Sequence, residues 1–259
     1  MKKIIILGSD GEIGSFLSNK LLDTFDILKA SRNKDNPNYI DFSNRDSIKN
    51  FIEKISKDNN IYGIINCYGI QKPINNFLDS NFDDWQNNMI INFHNYSFFL
   101  HSLLNKKLPN LRKIVNFSGG GATGPRRGFS AYAVSKISLY KLTEILAKEL
   151  KSHKIDINII APGAIKSKMT KEIINSGTDF DKEYLNALNV SKNGGDSKEN
   201  ILSLCKLLLS SKSNGLSGKL ISAQWDNLNE SSVDELKDDN DLFNLRRIDN
   251  KFFIKKKDI

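Results

Sequence analysis

The sequence predicts a single-domain α/β protein whose parallel β-sheet is covered by helices on both faces. Two observations support this fold class. Short apolar runs alternate with amphipathic helical patterns through most of the 259 residues, and a glycine-rich turn separates the first apolar run from the first helical pattern. Because helical patterns stand between successive strands, we expect the strands to be parallel and joined by right-handed crossovers.

Seven apolar runs have the length and composition of buried strands. They lie at residues 4–7, 25–30, 39–42, 61–67, 111–117, 155–161 and 218–222. Helical patterns lie at residues 15–22, 46–55, 83–104, 130–151 and 197–209. Ser43 or Asn44 is the candidate N-cap of the second helix, because short polar side chains accept hydrogen bonds from the free N–H groups of a first turn.

Two stretches are less regular. A weak helical pattern over residues 168–195 is interrupted by Gly177 and by Gly194-Gly195, which predicts a mobile flap. From residue 224 onward the pattern fades into a charged segment. We therefore interpret residues 1–222 as the domain, with the flap inside it, and residues 223–259 as a C-terminal extension. Its candidate anchors are Trp225, Leu242, Phe243, Phe252 and Phe253.

The composition is that of a soluble globular protein, with 39% hydrophobic and 26% charged residues. The net charge of +8 would suit a nucleic acid or a membrane surface, but the lysines are scattered, so neither partner is expected. An anionic substrate remains open. The cysteines and histidines lack the spacing of a disulfide framework or a metal site, and no apolar stretch approaches membrane-spanning length. A cytoplasmic location is therefore expected.

The glycine-rich turn predicts a dinucleotide site. Gly8, Gly11 and Gly14 follow the first strand and open the first helix, with Asp10 and Ile13 in the same loop. Glycines let the backbone approach a pyrophosphate, which rests on the helix N-terminus. The alternative is a glycine-rich turn without a special function, and the position directly after the first strand favours the cofactor site.

The end of the second strand predicts which cofactor is bound. NAD sites place a carboxylate near this point, where it accepts hydrogen bonds from the ribose 2′-hydroxyl. Here Ser31 and Arg32 stand in its place, and arginine suits the 2′-phosphate of NADP, although Asp35 follows shortly after. We therefore expect NADP in preference to NAD, with Asp41 and Phe42 at the adenine end of the site.

A second set of residues predicts acid–base chemistry. Tyr132 and Lys136 are four residues apart, so they share one face of a helix. A neighbouring ammonium lowers the pKa of a phenol, which would let Tyr132 exchange a proton near neutral pH. Ser118 ends the fifth strand, at the edge where open α/β sheets bind ligands. Asn92 is a poor residue for the middle of a helix, which suggests a role for its side chain or a local kink.

These motifs resemble those of the short-chain dehydrogenase/reductase family, in the same order, over residues 1–222. They are Gly8, Gly11 and Gly14; Asn66-x-x-Gly69; Asn92; Ser118; Tyr132-x-x-x-Lys136; and Pro162-Gly163. The resemblance implies a Rossmann fold with about seven parallel strands, assembled as a homodimer or homotetramer. It also implies that the glycines, Asn66, Pro162 and Gly163 contact the cofactor.

The resemblance assigns a role to each catalytic residue. Tyr132 is the acid–base group and Ser118 holds the substrate oxygen. Lys136 binds the nicotinamide ribose and lowers the pKa of the tyrosine, and Asn92 supports a water-linked proton path to that lysine. Ile165 and Ser167 would contact the nicotinamide carboxamide. Tyr132 and Lys136 would also contact the cofactor.

The chain departs from the family pattern at several points. The glycine spacing is that of extended and atypical members, Tyr68 stands where it could crowd the cofactor, and Ser167 replaces a threonine. The family's serine usually lies 13 residues before the tyrosine, where this chain has Gly119, so Ser118 is assigned with one extra loop residue. Residues 118–125 and 219–225 resemble a subgroup often encoded beside polysaccharide genes, which implies a sugar or nucleotide-sugar substrate.

Basic residues near the reacting groups bear on the substrate. Arg126 and Arg127 lie between the serine and the tyrosine, where they either are solvated or contact a phosphate or carboxylate of the substrate. Lys168, Lys171 and Lys182 lie on the flap. Together these side chains predict a positively charged mouth of the site.

Three functions fit the sequence. The first is an NADP-dependent oxidoreductase that acts on a carbonyl or secondary alcohol. The second is a nucleotide-sugar epimerase or dehydratase that retains its cofactor, although such enzymes usually carry a larger C-terminal domain. The third is a non-catalytic NADP-binding redox sensor, which would not need the serine, tyrosine, lysine and asparagine together. The sequence favours the first.

Overall fold

The computed structural model describes residues 1–177, 181–226, 228–239 and 241–246. Within these residues six strands form one parallel sheet, in the order β2-β1-β3-β4-β5-β6. The strands are β1 (Lys3–Leu7), β2 (Asp26–Ala30), β3 (Ile61–Asn66), β4 (Lys113–Phe117), β5 (Asp156–Ala161) and β6 (Leu220–Ser222). The predicted α/β class is confirmed, with six strands and not about seven. The strand order reverses at β1, which opens a crevice at the carboxyl ends of β1 and β3.

The prediction of a strand at residues 39–42 is wrong. This segment contributes one bridge, between Tyr39 and Ser31, and then leaves the sheet. The carboxylate of Asp41 accepts a hydrogen bond from the backbone N–H of Ser43 at 2.9 Å, which turns the chain. Ile40 and Phe42 are buried in the core on either side of Asp41, and this burial accounts for the apolar pattern of the segment.

Helices cover both faces of the sheet. The α-helices are α1 (Glu12–Lys20), α2 (Arg45–Ile55), α3 (Phe82–Met89), α4 (Asn95–Leu104), α5 (Ser130–Glu149), α6 (Lys168–Asn175), α7 (Asp181–Asn193), α8 (Lys198–Leu209) and α9 (Glu230–Asp238). One core cluster, which includes Phe51 and Phe99, lies beneath α2, α4 and α5. The other, which includes Leu17 and Leu208, lies beneath α1, α8 and α9. The sheet is therefore enclosed by two apolar layers.

The long helix predicted at residues 83–104 is interrupted. A π-helical turn, Ile90–His94, joins α3 to α4 and contains Asn92. Turns of this kind widen the helix and are frequent at functional sites. The local irregularity that Asn92 suggested is therefore present. The Asn92 side chain lies within it and is buried.

The segment after residue 224 is more ordered than its pattern indicates. α9 places Val233 and Leu236 in the second core cluster, where both are buried. Of the candidate anchors, Phe243 packs against this cluster, whereas Trp225 is 84% exposed. Phe252 and Phe253 lie outside the described residues. The sequence did not indicate α9, because the segment is mostly charged and few of its apolar residues are buried.

Several other expectations concern features of the whole molecule. Within the described ranges, no helix has both the length and the apolar character needed to cross a membrane. The same part of the chain contains no cluster of histidine, cysteine and carboxylate side chains suited to a metal ion. Val134 and Ile145 expose apolar side chains on α5. The expected homodimer or homotetramer remains a prediction.

Asn44 caps α2, and we expect its removal to weaken the fold. Its side-chain oxygen accepts hydrogen bonds from the N–H groups of Asp46 and Ser47, at 2.8 and 3.2 Å. Asn44→Ala should lower the free energy of unfolding by about 1 kcal/mol, measured by denaturant titration. Asn59→Ala is the control, because Asn59 is exposed and lies in a turn where it does not cap a helix. Equal stability of the two variants would contradict the assignment of the cap.

Candidate active site

A cavity of about 1460 Å³ opens at the carboxyl ends of the strands. It runs from the glycine-rich turn after β1, past the ends of β3 and β4, to α6 and α7. Ligand pockets usually enclose roughly 300–1,000 Å³. The cavity is therefore large enough for a cofactor and a substrate side by side.

The glycine-rich turn brings α1 directly against β1. A Cβ atom on Gly14 would lie 2.2 Å from the carbonyl oxygen of Gly8, so a larger residue would separate the helix from the turn. Gly11 is the N-cap of α1, and no side chain caps the helix. The first N–H groups of α1 are therefore available to a phosphate. This arrangement fits the pyrophosphate of a dinucleotide cofactor.

The end of β2 forms the next part of the cavity. The Ser31 hydroxyl donates a hydrogen bond to the carboxylate of Asp10 at 2.7 Å and accepts one from the N–H of Asn33 at 3.3 Å. Arg32 is exposed, lines the cavity, and forms no hydrogen bond or ion pair with any described residue. Its guanidinium is therefore free to bind an anionic group of a ligand.

The acid–base pair lies on the face of α5 that borders the cavity. Tyr132 and Lys136 are both buried, and the Lys136 Nζ lies 5.6 Å from the centre of the Tyr132 ring. The ammonium donates a hydrogen bond to the carbonyl oxygen of Phe117 at 3.0 Å. The two groups thus share one face of α5, as their spacing predicts, and the helix holds them beside the end of β4.

The expected lowering of the Tyr132 pKa by Lys136 is wrong. Burial raises the pKa of Tyr132 to about 12, and the charge of Arg126 opposes this rise only in part. Burial also lowers the pKa of Lys136 to about 8. Desolvation disfavours the charged form of each group, and it is the largest influence on both pKa values. At neutral pH the phenol is therefore protonated and able to donate.

Asn92 fixes the loop that follows β3. Its Oδ1 accepts a hydrogen bond from the N–H of Ile70 at 2.9 Å, and its Nδ2 donates to the carbonyl of Ile70 at 2.7 Å. The same Nδ2 lies 2.8 Å from Asn88 Oδ1 and 3.1 Å from the Ser135 hydroxyl. Asn92 does not itself line the cavity. It therefore positions the loop next to Lys136.

Gly119, and not Ser118, lies against the tyrosine hydroxyl. A Cβ atom on Gly119 would lie 2.2 Å from Tyr132 Oη and 2.6 Å from Cε1 and Cζ of the ring. Ser118 is buried, lines the cavity, and continues the pairing of β4 with β5 through an N–H bond to Ile160. No hydrogen bond joins its hydroxyl to Tyr132 in the described part of the chain. The phenol thus occupies the space that a side chain at residue 119 would fill.

The remaining cofactor residues divide into two groups. Those that line the cavity are Gly8, Asp10, Gly11, Ile13, Ser31, Arg32, Gly69, Tyr132, Lys136, Pro162, Gly163, Ile165 and Ser167. Those that do not are Gly14, Asp41, Phe42 and Asn66. Phe42 is fully buried, and the Asn66 carboxamide instead accepts the N–H of Tyr68 at 3.1 Å. The placement of Asp41 and Phe42 at the adenine stays a prediction; the Asp41 carboxylate takes part in the turn and the Phe42 ring in the core.

The loop after β5 depends on a residue that the sequence analysis missed. Asp196 Oδ2 accepts the N–H of Ala164 at 2.6 Å, beside Gly163, whose φ is +85°. Thr170 holds the same loop, because its hydroxyl donates to the carbonyl of Ile165 at 3.0 Å. Asp196 lies far along the chain and carries no motif, so no local signal identified it.

The expectation of a positive mouth is wrong. Arg126 lines the cavity, but Glu183 of α7 pairs with its guanidinium at 2.7 Å. Arg127 does not line the cavity, and its Nε donates to Asn76 Oδ1 at 3.2 Å. Of the flap lysines Lys168 alone lines the cavity, among described residues. Acidic side chains of the flap thus balance the basic ones at the substrate end.

The family model and the relatives found by comparison with known proteins are consistent with one family. A family model described as enoyl-(acyl carrier protein) reductase matches residues 18–224, beginning after the glycine-rich turn. Benzil reductase ((S)-benzoin forming) IRC24 of Saccharomyces cerevisiae is 30% identical over 145 residues, 52% of this chain and 54% of that protein. The 3-oxoacyl-[acyl-carrier-protein] reductase FabG of Chlamydia pneumoniae is 26% identical over 60% of this chain and 62% of its own length. The chain thus spans a little over half the length of these curated relatives.

Solved structures share the fold. A short-chain type dehydrogenase/reductase from Mycobacterium ulcerans superposes with a TM-score of 0.73 at 18% identity, covering 86% of this chain and 88% of that one. YwfH, an NADPH-dependent reductase involved in bacilysin biosynthesis, has a TM-score of 0.74 at 19% identity, covering 88% of this chain and 98% of its own. At these identities the likeness concerns the fold alone.

Gly119 sets the position of the phenol, and this can be tested directly. Gly119→Ala should move the Tyr132 hydroxyl by more than half an ångström into the cavity, because real Cβ atoms do not approach other atoms as closely as 2.2 Å. A crystal structure of the variant measures the displacement. Gly124→Ala is the control, since open space surrounds that position. An unmoved Tyr132 in Gly119→Ala would contradict the assigned contact.

Proposed function

The chain belongs to the short-chain dehydrogenase/reductase family, and from this we propose that it is an NADP-dependent oxidoreductase acting on a carbonyl or secondary alcohol. The observation that carries the proposal is the position of Tyr132 and Lys136, which border the same cavity as the glycine-rich turn. A proton-exchanging group and a dinucleotide site in one cavity are what carbonyl reduction requires.

Each residue of the site then has a definite part. The cofactor, when bound, supplies or accepts the hydride. Tyr132 Oη gives a proton to the substrate oxygen in the direction of reduction, which agrees with a pKa of about 12 that keeps the phenol protonated. The Phe117 carbonyl holds the Lys136 ammonium beside the loop that carries Gly69, at the nicotinamide end. Asn92 positions that loop through both backbone groups of Ile70.

The substrate end of the cavity supports a polar, hydroxyl-rich carbonyl compound such as a sugar. Its walls carry the amide side chains of Asn75, Asn87, Asn175 and Asn186. Amides both donate and accept hydrogen bonds, which suits a polyol. The balance of charges around Arg126 gives no added support to a strongly anionic substrate. A panel of keto-sugars and nucleotide-sugars, followed by the absorbance of NADPH, tests the proposal; turnover confined to apolar ketones would contradict it.

Tyr132→Phe should nearly abolish turnover of whichever substrate the panel identifies. Removal of a positioned acid–base group costs roughly 10²-fold or more. Cofactor binding should persist, because the glycine-rich turn and Lys136 are untouched. Tyr140→Phe is the control, since Tyr140 lies on the same helix but does not line the cavity. Wild-type turnover in Tyr132→Phe would remove the proposed acid–base role.

Arg32→Ala should weaken the binding of NADPH by about tenfold or more and leave that of NADH almost unchanged. The guanidinium, which has no partner among the described residues, is positioned to donate hydrogen bonds to a 2′-phosphate, and hydrogen bonds to charged groups are worth about 1.5–3 kcal/mol. Titration calorimetry with both cofactors measures the two affinities. Lys29→Ala, at an exposed lysine of β2 outside the cavity, is the control. Equal losses for NADPH and NADH would show that Arg32 does not contact the phosphate.

A further inference from the structure

Glu183 pairs with Arg126 inside the substrate end of the cavity. Both side chains line the cavity, and the Nε and Nη2 groups of the arginine donate to Oε2 of the carboxylate at 2.8 and 2.7 Å. The arginine side chain is only 15% exposed and the glutamate side chain only 25%. Water screens such a pair less than it screens a pair on the open surface, so these two charges act strongly on any ligand beside them.

Packing holds Arg126 next to the acid–base group. Its guanidinium carbon lies 3.6 Å from the centre of the Phe129 ring, which is fully buried. A Cβ atom on Gly120 would lie 3.3 Å from its Nη1. The preceding residue, Gly119, borders the Tyr132 hydroxyl. None of these contacts involves α7, so the arginine should stay at the reacting end of the cavity when the carboxylate is removed.

Glu183 reaches the arginine from another element. Arg126 lies in the loop between β4 and α5, whereas Glu183 lies in α7 of the flap, 57 residues further along the chain. Lys72 and Lys168 also line the cavity, but both are exposed, so water screens their charges. Glu183 thus neutralises the least exposed of these three cations.

An arginine without this partner would present its planar fork to a carboxylate or phosphate of a ligand. We propose that Glu183 is a specificity-determining residue, which excludes substrates that carry an anionic group at this end of the site because it occupies Arg126 and repels a second anion. Such a residue selects by making the wrong ligand unfavourable. The inference rests on the proposed function and narrows it, since the carbonyl compound that the site accepts is then uncharged near Arg126.

Glu183→Gln tests this role, because it removes the negative charge and keeps the size of the side chain. D-Gluconate and D-sorbitol are the probes, since they differ only by a carboxylate in place of a CH₂OH group and require no turnover. With the protein saturated with NADP, D-gluconate should bind Glu183→Gln about tenfold more tightly than the wild type. Binding of D-sorbitol should change by less than about twofold. Ligand-observed NMR titration measures these affinities.

Two further variants isolate the part played by the arginine. Glu172 also lines the cavity, but its carboxylate lies 3.4 Å from Gln71 Nε2 and forms no ion pair within the described ranges. Glu172→Gln therefore removes one negative charge from the same wall without freeing a cation, and D-gluconate affinity should rise by less than about threefold. Arg126→Gln combined with Glu183→Gln should cancel the gain of the single variant.

Equal D-gluconate affinities of the wild type and Glu183→Gln would overturn the proposal. So would a gain that persists in the double variant, or an equal gain in Glu172→Gln, since either would reflect the overall charge of the cavity and not the pair. Failure of the wild type to bind NADP, or to reduce any keto-sugar while the D-gluconate results hold, would instead overturn the proposed function.

Discussion

The carboxamide of Asn92 is the interaction on which the site most depends. It bonds both the N–H and the C=O of Ile70, as a neighbouring strand would, although Ile70 has already left β3. Asn88 reinforces this by donating to the carbonyl of Lys72 at 2.7 Å. Because these groups are buried and must be paired, the loop, the π-helical turn and Ser135 of α5 cannot shift independently. Lys136 directly follows Ser135 on α5, so the same network also fixes the position of Lys136.

Burial controls the chemistry of the acid–base pair. Both Tyr132 and Lys136 are driven toward their neutral forms, the phenol by a raised pKa and the ammonium by a pKa lowered to about 8. With a pKa of about 8 the lysine is still mostly protonated at neutral pH, and its ammonium donates a hydrogen bond to the Phe117 carbonyl. At neutral pH the phenol therefore keeps its proton, as the proposed acid–base role requires. The contact with Gly119 adds a steric limit, since it determines where the phenol ring can lie.

The substrate end of the cavity is formed by elements that are distant in sequence. Glu183 of α7 pairs with Arg126, whose guanidinium also stacks 3.6 Å from the centre of the Phe129 ring. Gln71 of the loop after β3 lies 3.4 Å from Glu172 of α6. These contacts join the flap to the two loops beside the acid–base pair. Arg126, which the sequence suggested as a partner for a substrate anion, is therefore already paired with a carboxylate. The proposed substrate preference thus rests on the asparagine side chains of the cavity walls and not on charge.

The sequence by itself determined what depends on local spacing: the alternation of strands and helices, the glycine-rich turn, a cap of α2 at Ser43 or Asn44, and the placement of Tyr132 and Lys136 on one helix face. Such features need only the periods of a helix or strand and the chemistry of a turn. The tertiary structure decided which side chains meet across elements. It placed Gly119 at the phenol, Glu183 on Arg126 and Tyr68 on Phe42. Contacts and desolvation of this kind arise from packing between distant segments, and no local pattern in the chain encodes them.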